Sequence, residues 1–239
     1  MSQEKFKNMS GYKLALIYGY TPNLLGLCGP RKKSEKKIIS DFILGKKIPK
    51  KKIEKIIRDF RAAYPYFQLI SKSNNIKNPL NNKAVMAYWL GNEYLEKVRE
   101  KDFKEFAKKT FSLKKFPRGS VPHHSFHVLN IGRIGGKLNE NLLDVCLVKW
   151  GKVRQIANGK SQKVKVLVSG YEPLEKKNGK FYLGKPTEKE VVWNKLLAPE
   201  LKVGDWVSIH WENVMEKLTR KDLENLKKYT EINLRAYSK

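Results

Sequence analysis

The chain of 239 residues has only two cysteines and four histidines, and its 23 acidic residues are outnumbered by 50 basic ones. Two cysteines 118 positions apart exclude a disulfide scaffold and fit a reducing cytoplasm. The longest apolar stretches, Leu14 to Tyr18 and Ala84 to Leu90, fall far short of the ~20 residues that cross a bilayer, so no membrane insertion is expected. A charged start, Met1 to Asn8, leads into no long apolar region or small-residue cleavage site, which argues against export. There is no Walker loop, no Rossmann glycine fingerprint and no Ser-His-Asp arrangement, and no nucleotide cofactor is expected. What remains is a chain with 41% hydrophobic and 11% aromatic residues, enough for a packed core.

The net charge of +27 suggests an anionic partner, nucleic acid first. Arginine argues otherwise. It supplies only nine of the 50 basic residues, although it is the preferred residue for bidentate phosphate and guanine contacts. Lysine spread along the whole chain reads as a compositional bias, and nucleic-acid binding is disfavoured.

The pattern divides in two, giving an α+β chain with a helical domain over 1–119 and a β-rich part after it. In the first part Ile38, Ile39, Phe42 and Ile43 lie at helical spacing after a possible Ser34 cap. Ile53, Ile56, Ile57 and Phe60 repeat the spacing and stop before Pro65. Further helices are predicted from Leu80 to Val98 and from Asp102 to Phe111. The aromatic clusters Tyr64–Phe67 and Tyr88–Trp89 read as packing between helices rather than a stacking platform for bases.

After a His-containing linker over 120–143, a small β-barrel with a C-terminal helix is expected over 144–239. Asp144 to Ile156 alternates as a strand that carries Cys146. Val164, Val166 and Val168 share one side of another, and Asn178-Gly179 is a hairpin signal. Strands near Glu190–Trp193 and Asp205–Trp211 follow. Thr219 with Asp222 three positions on reads as a capping box.

Two segments of this second part carry a resemblance. Cys146-Leu147-Val148-Lys149-Trp150-Gly151-Lys152-Val153 is similar to a Cys-Leu-Ala-x-Pro-Gly-Lys-Val opening. Pro199 to His210, with Val203-Gly204-Asp205-Trp206-Val207, is similar to a Val-Gly-Asp-Tyr-Val-Leu-Val-His segment. With the helix after Glu216-Lys217-Leu218, they resemble the hydrogenase assembly chaperones of the HypC/HupF family over about 95 residues. The resemblance implies a small barrel in which Cys146 and His210 share a site for iron, carried as an iron-cyanide-carbonyl group. It also implies a maturation protein or hydrogenase large subunit as partner. The motifs Gly19-Tyr20-Thr21-Pro22-Asn23 and Leu25-Gly26-Leu27-Cys28-Gly29-Pro30 resemble those of a bacterial family associated with hydrogenase genes, to which no activity is assigned.

The residues themselves add a donor set. Three of the four histidines, His123, His124 and His127, fall within Pro122–His127. His123 and His127, four apart, point together on a helix or a strand, with His124 as a further candidate. With Cys146 and His210 they form an N/S set that suits iron, zinc or nickel. Trp150, which stands where the family has Pro, and Cys28 in its Gly- and Pro-bracketed loop are candidate partner contacts. The reading is thus a cytoplasmic accessory protein for nickel-iron hydrogenase maturation rather than an enzyme with turnover. A Cys/His metal-dependent enzyme and a basic nucleic-acid-binding barrel are the alternatives.

Overall fold

The computed structural model describes residues 9–134, 140–159 and 161–238. The chain forms two compact units, residues 1–116 and 117–239.

The first unit is helical: α1 (Gly11–Leu24), α2 (Lys33–Ile43), α3 (Lys50–Arg58), α4 (Tyr64–Ser73), α5 (Asn82–Trp89) and α6 (Glu100–Phe111), with a 3-10 turn at Glu93–Leu95. The isoleucine spacing of α2 and α3 has its expected effect, since Ile39, Ile43, Ile53, Ile56 and Ile57 are all buried. The N-cap of α2 is Lys32, not Ser34, and no side chain caps it. The helix expected through Val98 ends at Trp89, and the chain crosses Gly91 at φ +85° before the 3-10 turn. The aromatic clusters are core. Tyr66, Phe67, Tyr88 and Trp89 are buried, and Tyr18 stacks on Trp89 with ring centres 4.8 Å apart and planes 13° from parallel.

The second unit is α+β. Helices α7 (His124–Ile134) and α8 (Glu140–Cys146) precede, among the described residues, the strands β1 (Lys149–Ile156), β2 (Lys163–Tyr171), β3 (Leu174–Lys177), β4 (Lys180–Leu183), β5 (Thr187–Asn194), β6 (Trp206–His210) and β7 (Asn213–Lys217). Helix α9 (Arg220–Tyr237) closes the unit. Strands β1-β2-β5-β7-β6 form a closed barrel, with β6 pairing back onto β1, and β3-β4 stand apart as a two-stranded sheet. Closure removes the exposed edges that an open five-stranded sheet would present.

Alternation does much of this locally. Val166 and Val168 fill the barrel with Val153, Val191, Val207, Ile209 and Val214, and Val164 is buried on the same side of β2. At Gly151 the strands approach so closely that a Cβ would lie 2.8 Å from the Val168 side chain, which explains glycine there. Asn178 and Gly179, at φ +52° and +75°, make the two-residue turn between β3 and β4. The Thr219 hydroxyl accepts from the Asp222 amide at 3.1 Å while Asp222 accepts from the Thr219 amide, the reciprocal cap that starts α9.

Two expectations need correction. The stretch expected as a histidine-bearing linker is largely helical, and residues 135–139 of it lie outside the described residues. Helix α7 packs on α9, and its Phe126, Val128 and Leu129 are fully buried, so the segment belongs to a core rather than to a connection. The strand expected from Asp144 starts only at Lys149, because Asp144 to Cys146 form the last turn of α8. A seven-residue helix is too short to stand alone in water. Packing holds it: Leu143 and Leu147 are buried with Val128, Leu129, Leu174, Phe181 and Leu234.

Candidate metal centre

Three element ends converge in the second unit. His124 is the first residue of α7, Cys146 the last of α8, and His210 the last of β6. Each offers one ligand atom, and these atoms all lie within 4.8 Å of one another. His124 and His210 are buried and Cys146 is half-buried. The two imidazoles meet edge to face, ring centres 5.1 Å apart and planes at 88°. Two nitrogens and a thiolate sulfur at this separation suit a borderline-soft transition metal such as iron, zinc or nickel, rather than magnesium or calcium, which take oxygen.

A local hydrogen bond sets the Cys–His separation. The Trp211 amide donates to the Val145 carbonyl at 2.7 Å, joining the residue after His210 to the residue before Cys146. Trp211 and Glu212 form the two-residue turn between β6 and β7, both left-handed at φ +50° and +56°. Neither is glycine, so the turn carries about 1–2 kcal/mol of backbone strain per residue. It is held by its neighbours. Asn213 Nδ2 donates to the Trp211 carbonyl at 2.7 Å, and the Val192 amide donates to the Glu212 carbonyl at 2.8 Å.

Burial keeps His124 and His127 neutral. Burial pushes His124 well below the ordinary imidazole value, and charge on His210, His127 or His123 would push it further. Burial alone lowers His127 to about 4. A neutral imidazole keeps a nitrogen lone pair that a metal can take without displacing a proton.

The sequence singled out five side chains here, and the structure sorts them. His124, named as the further candidate, joins Cys146 and His210 in the three-residue group. His127, one turn along α7, has its ring centre 6.4 Å from that of His124. His123 precedes the helix and anchors it: its Nδ1 accepts from the Ser125 amide at 3.3 Å and lies 2.8 Å from the Ser125 hydroxyl. Asn233 of α9 donates to that hydroxyl at 2.9 Å and also bonds both backbone groups of Val121. The pairing expected at four-residue spacing therefore gives way to one set by where the helix begins. Trp150, expected to offer a partner contact, is a core residue at 1% exposure, its indole donating to Glu172 Oε1 at 3.2 Å. Cys28 belongs to the first unit, half-buried, with its thiol pKa raised by burial.

Sequence reasoning missed the residues that brace Cys146. Asp144 accepts from the Tyr171 hydroxyl at 2.7 Å and the Leu174 amide at 2.6 Å. It also pairs with Lys149 Nζ at 3.1 Å, and that lysine is 1% exposed. Lys149 donates as well to the Glu172 carbonyl at 2.6 Å. Burial pulls the ammonium down to about 8, partly offset by Asp144. Burial and then the Asp144 charge raise the Tyr171 pKa. Only the partners, 27 and 30 positions away, reveal this role for Asp144, and no local pattern could have signalled it. Asp144→Ala strands the Lys149 charge and is expected to destabilise the fold by about 3–5 kcal/mol. Lys149→Met is expected to cost less, because Asp144 keeps two neutral donors. Urea unfolding of the two variants measures the order, and equal or reversed effects would contradict it.

A family model described as "Family of unknown function (DUF6390)" matches residues 7–239. The chain belongs to DUF6390. No curated protein and no solved structure matches the chain. The family description names no activity, so for this DUF6390 chain the site geometry carries the functional argument.

Proposed function

We propose that this protein is an accessory factor of nickel-iron hydrogenase maturation that receives and hands on a transition-metal group through Cys146, His210 and His124. The observation that carries the reading is the convergence of one sulfur and two imidazole donors within 4.8 Å, at the end of a small closed barrel. The two sequence segments that resemble the HypC/HupF chaperones, around Cys146 and before His210, are brought to this one place. The cargo that the resemblance suggests is an iron-cyanide-carbonyl group, and the donor set fits it: a thiolate binds iron strongly, and imidazole is an ordinary iron ligand.

Three donors leave coordination positions for groups that arrive with the metal or belong to the acceptor. Such an open set suits transfer better than permanent storage, for which four protein ligands are usual. The chain's own residues would bind and orient the metal. Asp144 and the Trp211 turn fix Cys146 and His210, and the lowered pKa of His124 leaves one of its two ring nitrogens unprotonated.

The test is co-purification of tagged chain from its native cells with metal analysis. A hydrogenase maturation protein or large subunit should be recovered with the wild-type chain, together with iron, and iron should be lost in Cys146→Ala. Recovery of ribosomal or nucleic-acid proteins with no metalloenzyme assembly factor would overturn the proposal. Substrate turnover that falls together with metal in Cys146→Ala would instead favour a metal-dependent enzyme.

A further inference from the structure

The first unit carries an apolar tip that the metal reading does not use. Helix α1 ends at Leu24, α2 begins at Lys33, and residues 24–27 of the connection, Leu-Leu-Gly-Leu, are all exposed. Leu24, Leu25 and Leu27 show 45%, 59% and 53% of their surface to solvent. Three exposed leucines within four residues form a patch, unlike the single exposed apolar residues that any surface carries.

The backbone amides of this tip are already satisfied from within. The amides of Leu25, Gly26, Leu27 and Cys28 donate to the carbonyls of Thr21, Asn23, Pro22 and Pro22 at 2.9–3.3 Å. Buried Asn23 donates through its side chain to the carbonyls of Cys28 and Pro30, both at 2.8 Å. Lys36 Nζ donates to the Leu24 carbonyl at 3.3 Å. A segment that enters the headgroup–acyl boundary loses water as a partner for its backbone donors, and the amides of this one already have partners. Arg31, Lys32 and Lys33 follow the tip, all exposed, and Lys36 lies at its base.

We propose that the Leu24–Leu27 tip docks the protein on an anionic bilayer surface, the leucines entering the headgroup–acyl boundary while Arg31, Lys32, Lys33 and Lys36 meet anionic headgroups. The combination of aliphatic insertion and basic attraction is that of interfacial anchors, which lie on a membrane without spanning it. The size of the patch favours lipid over a protein partner, because a stable protein interface takes about 20–30 residues a side and this tip offers three side chains. The basic residues that complement an anionic surface are those beside the tip, Arg31, Lys32, Lys33 and Lys36, rather than the lysines spread along the chain. This inference is independent of the metal reading.

Co-sedimentation of the full chain with phosphatidylglycerol-containing vesicles and with phosphatidylcholine vesicles tests it. Binding to the anionic vesicles is expected, with little to the zwitterionic ones. The double variant Leu25→Ser, Leu27→Ser keeps every charge and should lower the anionic partition coefficient roughly tenfold or more. Arg31→Glu with Lys32→Glu should lower it too, and circular dichroism confirms that these exposed substitutions leave the helices intact. Three results would overturn the proposal. One is no binding to anionic vesicles. Another is binding that the leucine variant leaves unchanged, which assigns it to the general charge of the chain. The third is a lipid-independent dimer that the leucine variant dissolves, which assigns the tip to a second copy.

Discussion

Cys146→Ser is expected to weaken binding of cobalt(II) or iron(II) by about a hundredfold or more, since even residues that merely support metal ligands contribute 10–100-fold. Cys146 is the lone sulfur donor within the His124–Cys146–His210 group, so its loss also changes the type of site. The sulfur-to-cobalt charge-transfer band should disappear in this variant. His210→Ala and His124→Ala should weaken binding while keeping the band, because each removes a nitrogen and leaves the thiolate. Cys28→Ser is the internal control, as Cys28 lies in the other unit. Competition against a chromogenic chelator measures all four. A charge-transfer band that survives Cys146→Ser would remove Cys146 from the site.

Mild acid should destabilise the second unit through its histidines. His127 has a pKa of about 4 in the folded protein against an ordinary 6.5, because burial disfavours the imidazolium. Between these values the unfolded chain takes up a proton that the folded chain excludes, so stability falls as the pH drops. The penalty is absent above pH 6.5 and reaches about 3 kcal/mol near pH 4. His124, shifted in the same direction by burial and by its histidine neighbours, adds to it. Urea unfolding of the metal-free protein at steps between pH 7 and 4 should therefore show a falling midpoint. His127→Gln should flatten part of that fall relative to wild type. A variant whose pH profile runs parallel to the wild-type profile would show that His127 is not buried neutral. Bound metal should oppose the effect, since occupation of His124 competes with its protonation.

The parts of this protein that its sequence determined by itself are those in which cause and effect lie a few residues apart. Alternation at Val164, Val166 and Val168 is enough to place one face of β2 inside the barrel. Asn178 and Gly179 tolerate the left-handed turn that joins β3 to β4, and Thr219 with Asp222 closes its own cap. The separation into a helical part and a β-rich part with a C-terminal helix followed from the same local periodicities. Cys146 and His210 could be named as candidates because the segments around them resemble a family in which such residues share a site.

Tertiary structure decided the rest. Whether Val145-Cys146-Leu147 continues a helix or opens a strand is undetermined by an apolar run of that length. The deciding contacts come from Tyr171 and Leu174, which hold Asp144, and from Leu234 and Phe181, which bury the apolar side of α8. Which histidine of Pro122–His127 faces Cys146 depends on the residue at which α7 begins, and a shift of one residue turns a helix by about 100°. The Ser125–Asn233 contact with α9, 108 positions away, sets that phase, and so His124 rather than His123 meets Cys146 and His210. Local sequence carries the propensity for each element, but the register between elements is a property of side chains that meet only after the chain has folded.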